Sequence, residues 1–130
     1  MRSEYDVIAL GELLIDFACK ETDADGYPVM AAHPGGAPAN FLAALTRFGA
    51  KTSMIGKVGA DTFGKLLLGT LEKAGIGTEG MIEAPDVFTT LAFVTFDPDG
   101  DRHFAFARKP GADTCLRTHQ GIAFALSEYI

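Results

Sequence analysis

Cysteine is scarce: Cys19 and Cys115 are the whole complement. They are too few and too far apart for a disulfide framework or a zinc site, and each is expected to be a buried thiol in a reducing compartment. A basic excess is also missing. Eleven Lys and Arg stand against 17 Asp and Glu, a net charge of −6 with His neutral, and the basic residues are scattered. Nucleic-acid binding driven by the phosphate backbone is thereby disfavoured, and small molecules become the better partners. No apolar run approaches the ~18 residues of a membrane span, and Glu4 and Asp6 interrupt any signal peptide at the start. The chain is therefore expected to be soluble and cytoplasmic, with neither nucleic acid nor membrane as partner. Three familiar motifs are missing too. Gly56-Lys57 is followed by Val58, so there is no Walker loop; no GxGxxG occurs; and His33, His103 and His119 lack the HExxH spacing of a metal site.

What is present suits one compact domain. The chain has 130 residues, 48% hydrophobic and 22% charged, enough for a sizeable core. Glycine is in excess, 15 of 130 against an average of about 7%, and much of it falls in short clusters that imply tight backbone turns. Tyr5 to Phe17 reads as strand material, with a near-continuous run Val7-Ile8-Ala9-Leu10, an interruption at Gly11-Glu12, and Leu13-Leu14-Ile15 beyond it. Asp16 follows that run at the expected carboxyl end of a buried strand, where open α/β sheets place ligand chemistry. A turn or cap role for it remains an alternative.

His33 to Asn40 leads into an amphipathic helix with Phe41, Leu42, Leu45 and Phe48 on one stripe and Gly49 as the stop. Pro38 suits its first turn, the Gly35-Gly36 pair lets backbone approach a ligand, and Asn40 lies well off the apolar stripe. A strand over Lys51 to Lys57 and a helix bearing Leu66, Leu67, Leu71 and Ala74 come next, and the helix stops at Gly75. Strand, helix, strand, helix favours a parallel sheet with crossover helices. Thr89 to Phe96 and Arg102 to Arg108 are β-type runs joined by the turn-rich Asp97 to Asp101, with Phe104, Phe106 and Arg108 on one face. Both faces of the first run are largely apolar, so this hairpin needs a cover: a cleft in the main domain or another subunit. Ile122 to Ile130 could form a short helix or strand.

A polar set remains on loops and strand ends: Asp16, Gly35, Gly36, Asn40, Lys57, Asp61 and Arg108. A carboxylate accepts hydrogen bonds while a carboxamide both donates and accepts, a combination that grips vicinal hydroxyls and suits a sugar. Singly, each has a plainer reading: Asp61 as a helix cap, Lys57 as a solvated loop cation, Arg108 as the partner of a surface carboxylate.

Together and in order, Gly11-Glu12-Leu13-Leu14-Ile15-Asp16-Phe17, Gly35-Gly36-Ala37-Pro38-Ala39-Asn40, Gly56-Lys57-Val58-Gly59 with Asp61, Phe63 and Gly64, and Phe106-Ala107-Arg108-Lys109-Pro110-Gly111-Ala112-Asp113 resemble the PfkB/ribokinase family of carbohydrate kinases, and fructokinases within it. The resemblance covers about Val7 to Leu116. It implies an α/β fold, a ribokinase-like parallel sheet with flanking helices plus a small β-sheet lid, with lid strands at about 12–34 and 89–108. It further implies a sugar bound between sheet and lid and phosphorylated by ATP with Mg²⁺. Carried over, Asp16 holds sugar hydroxyls, Gly35 and Gly36 admit the sugar to the backbone, Asn40 adds a contact, Lys57 lies nearby and Arg108 reaches in from the lid.

The family's nucleotide pocket and catalytic base reside in a C-terminal half around a Gly-Ala-Gly-Asp motif that this sequence lacks. Gly59-Ala60-Asp61 and Gly111-Ala112-Asp113 each miss the second glycine, so no catalytic residue and no metal ligand is assigned. The chain is thus expected to be a truncated, N-terminal part of such a domain, 1–130, with 118–130 unassigned. It would be the sugar-binding half of a kinase or a non-catalytic sugar-binding or oligomerising module, and a homodimer through lid strands or association through an open sheet edge is expected in either case.

Overall fold

The computed structural model describes residues 4–120. In chain order the strands are β1 (Val7–Leu10), β2 (Leu14–Thr22), β3 (Pro28–Gly35), β4 (Thr52–Gly59), β5 (Ile76–Ala84), β6 (Leu91–Phe96) and β7 (Arg102–Ala107), with helices α1 (Ala37–Arg47) and α2 (Thr62–Ala74) and a 3₁₀ turn at Ala112–Cys115. The element expected over 122–130 lies outside the described residues.

Two sheets form. β1, β4 and β5 make a parallel sheet in the order β1-β4-β5, and β3-β2-β6-β7 make a second, mixed sheet. α1 packs on β1 and β4, α2 packs on β5, and the helices touch each other, so the parallel sheet has a helical layer on one face. The fold is α/β, as the alternation of elements indicates.

Tyr5 to Phe17 forms two strands, divided at the Gly11-Glu12 interruption. The chain leaves the parallel sheet after Leu10 and enters the second sheet at Leu14, and the Gly11-Glu12 interruption marks the crossing. Asp16 therefore stands near the start of β2, not at the carboxyl end of a strand. Within β2, Ile15 is fully buried, and Phe17 stacks on Phe93 at 5.3 Å and meets Phe63 of α2 edge-on at 5.5 Å. Side chains alternate along a strand. With Ile15 and Phe17 turned to the core, Asp16 is turned to the other face.

Three other readings change. β5 escapes sequence analysis because Gly77, Glu79, Gly80 and Glu83 are poor strand formers; pairing with β4 and packing against α2 override them. In α1, Phe41 and Phe48 are 55% and 89% exposed, and the buried face is instead that of Ala39 and Leu42. The small face wins because Thr46, on that side, meets Thr52 of β4 hydroxyl to hydroxyl at 2.6 Å, an approach a phenylalanine would block. The two cysteines are free but only half-buried, since Cys19 lies where β2 runs out beyond the core.

Asp61 is the cap the sequence suggests, and more. It accepts from Gly64 N at 2.8 Å at the start of α2, and from Thr89 N and Thr89 Oγ1 at 2.9 and 2.8 Å. Thr89 is buried and in turn accepts from Gly59 N at 2.9 Å. Burial opposes the charge on Asp61, but hydrogen bonds from Thr89, Gly64 and Phe63 outweigh it and hold the carboxyl below its ordinary value of 3.8. A lowered folded value means stabilisation that is fully present above 3.8 and lost as pH falls through the folded value. Asp61→Ala is expected to cost about 2 kcal/mol at neutral pH. Urea unfolding should show the gap to the parent chain narrowing only below pH 3.8.

Candidate functional site

Where β2, β3 and α1 meet, the backbone is packed too closely for side chains. A Cβ on Gly35 would strike the Asp16 carboxylate at Oδ2, and one on Gly36 would strike the Glu12 carbonyl oxygen. Gly36 also holds φ at +121°, a conformation that favours glycine. It precedes α1, whose first turn contains Pro38, and the helix start is capped from a distance: Ala37 N donates to Glu12 Oε1 at 3.2 Å. Glu12 is a residue that sequence reasoning missed, although it lies inside the Gly11 to Phe17 motif.

Asp16 is half-buried and, among the described residues, its carboxylate receives no hydrogen bond or ion pair. Asn40 is exposed on the first turn of α1 and shares with Gly35 the lining of a small cavity of about 70 Å³. Asp16, Gly35 and Gly36 thus lie at one corner beside Glu12, and Asn40 adjoins Gly35 across a cavity that neither Asp16 nor Gly36 lines.

Arg108 reaches the same face of the second sheet. Asp16 pairs with Ala92 of β6, and Ala92 pairs with Phe106 of β7, so the three share a row and a face. Phe104 stacks on Phe106 at 6.3 Å, and the Arg108 guanidinium lies 5.9 Å from the centre of the Phe106 ring. Arg108 Nη2 donates to Asp113 Oδ2 at 2.7 Å, and Asp113, whose side chain is 2% exposed, also accepts from Thr90 Oγ1. The acid beside Arg108 is therefore a buried one, where the plainer sequence reading supposed a surface one. Arg108 Nε is buried without a partner. Asp113 and Thr90 were not among the expected site residues; the turn at Pro110-Gly111 between opposite charges five positions apart is the signal that could have found them.

Lys57 is not brought to this corner. It stands on β4 in the other sheet, and its Nζ donates to the Cys115 carbonyl at 3.1 Å. It ties the 3₁₀ turn to the parallel sheet.

The chemistry available here is hydrogen bonding to a neutral polyol. At the starts of α1 and α2 one amide each is already taken, Ala37 N by Glu12 and Gly64 N by Asp61. Among the described residues no group of three or more His, Cys, Asp or Glu side chains could hold a metal ion. No described helix is long and apolar enough to cross a membrane.

Residues 5–127 match the pfkB family carbohydrate kinase profile. This chain belongs to that family. It is 41% identical over 116 residues to probable fructokinase-5 of Arabidopsis thaliana, an alignment covering 85% of this chain and 35% of that protein. Among solved structures, the fructokinase from Xylella fastidiosa superposes with a TM-score of 0.86 at 33% identity, covering 94% of this chain and 38% of that one. A putative ribokinase II from E. coli in complex with ATP and Mg²⁺ gives 0.83 at 30% identity, with 95% and 40% covered. The pfkB chain described here spans about a third of the length of the curated relatives it matches. Its parallel sheet and flanking helices are those of ribokinase-like fructokinases.

Proposed function

We propose that this chain carries the sugar-binding part of an ATP-dependent, fructokinase-like kinase. The observation that carries the reading is Asp16: a half-buried carboxylate without a protein partner, pressed against a glycine whose replacement would displace it. Half-buried and without a described protein partner, such a group gains from accepting hydroxyl hydrogen bonds. Gly35 and Gly36 let a sugar approach the backbone, and Asn40 offers a donor and an acceptor from the start of α1. The second sheet serves as the lid, from which Arg108, steadied by Asp113, faces the bound sugar. Fructose is the preferred substrate on the strength of the relatives' names.

Phosphoryl transfer needs a nucleotide, a metal ion and a base, and none of these is assigned to the described residues. A second reading takes these residues as a sugar-binding or oligomerising module without turnover. Association would use the exposed strand β7 or the open edges of the parallel sheet. A cytoplasmic setting suits the two free thiols.

The kinase reading requires sugar binding, whereas the module reading holds with sugar binding or with association alone. The chain is expected to gain thermal stability with fructose and to release no ADP from ATP and Mg²⁺ on its own. ADP release at a rate typical of kinases, of order 1–100 s⁻¹, would show that the described residues hold a nucleotide site after all. No stabilisation by fructose or by other sugars would remove the kinase reading and leave only an oligomerising module.

A further inference from the structure

His33 stands directly opposite Asp16 in the antiparallel ladder of β2 and β3. Cross-strand partners point to the same face, with Cβ atoms about 4.5–5.5 Å apart. Gly35, two residues on, confirms the direction, because a Cβ there would strike Asp16. His33 is exposed, and among the described residues its ring has no hydrogen-bond partner. His103 differs in this respect: it is held by Asp97 at 2.6 Å in the β6–β7 hairpin. The face thus presents a carboxylate and an imidazole side by side, both without a described protein partner.

We propose that His33 is a second sugar-contacting residue, bonded to the hydroxyl adjacent to the one Asp16 holds. The inference rests on the reading of Asp16 as the sugar grip. A carboxylate only accepts, whereas a neutral imidazole carries one donor and one acceptor nitrogen. The pair therefore selects a vicinal diol: one hydroxyl donates to Asp16, and its neighbour exchanges a hydrogen bond with His33. Sugars lacking either hydroxyl lose the paired contact.

The test is calorimetric titration of the full chain with fructose and with its monodeoxy analogues, comparing the parent, His33→Ala, His33→Gln and Asp16→Asn. His33→Ala should weaken fructose binding about five- to tenfold, the worth of one hydrogen bond, with no change in thermal midpoint because the side chain is exposed. His33→Gln should recover part of the loss. The decisive arm is the analogue series: for one deoxy sugar the penalty of His33→Ala should vanish, since its partner hydroxyl is already gone. Parent-like affinity of His33→Ala, or an equal penalty on every analogue, would overturn the inference while leaving Asp16 in place. Parent-like affinity of Asp16→Asn, or no binding of fructose by the parent chain, would overturn the underlying reading and this inference with it.

Discussion

Gly36→Ala is expected to destabilise the chain by about 3 kcal/mol and to abolish sugar binding with it. Two independent effects act at that residue. The backbone sits at φ +121°, a region that L side chains rarely enter, and the methyl group would run into the Glu12 carbonyl oxygen, with the Leu13 Cα only 3.4 Å away. Neither obstacle is the far end of a flexible side chain, so relief requires moving backbone. The backbone that must move is the Gly11 to Leu13 crossing between the two sheets. That crossing carries Glu12, which caps α1, and it aims Asp16 two residues into β2. Equilibrium unfolding in urea checks the stability, and fructose titration at a temperature where the variant stays folded checks the site.

Asp16→Ala is expected to weaken fructose binding about 10- to 100-fold, since a hydrogen bond to an ionised carboxylate contributes about 1.5–3 kcal/mol. Gly35→Ala should come close to it by a different route. There the added methyl meets the end of the Asp16 side chain and Leu14 Cδ1 at 3.3 Å, so the carboxylate swings away while the fold adjusts. Stability should change little for either variant, because the Asp16 carboxylate makes no described protein contact that folding needs. Loss of affinity at unchanged stability separates these two variants from Gly36→Ala. A fall in stability of several kcal/mol for Gly35→Ala would mean that the carboxylate cannot yield.

The parts of the fold legible in the sequence were those set by local chemistry. Gly75 ends α2 in the left-handed conformation at φ 79°, Pro38 opens α1, and Asp61 caps α2. The less legible parts depend on partners distant in sequence. Nothing local says that Leu10 and Leu14 belong to different sheets, that the glycine-rich stretch after Gly75 pairs with β4, or that α1 turns Ala39 and Leu42 inward and its phenylalanines outward. The site divides in the same way. Asp16, Gly35, Gly36 and Asn40 were readable because they lie in ordered motifs, and the structure sets Gly35 against Asp16 and Gly36 against Glu12. Lys57 comes from an equally clear motif, yet its ammonium is spent on the Cys115 carbonyl. Glu12, Thr90 and Asp113 act on groups brought to them by tertiary structure, through the α1 start and the Arg108 guanidinium.

The central claim is that the Asp16 corner of this chain binds a sugar. Fructose titrated calorimetrically into the parent chain and into Asp16→Asn, side by side at equal concentration, tests it most directly. The expected result is a saturable heat for the parent that is lost in the variant, with both proteins showing the same thermal midpoint. Equal binding by the two proteins, or no binding by the parent, would contradict it.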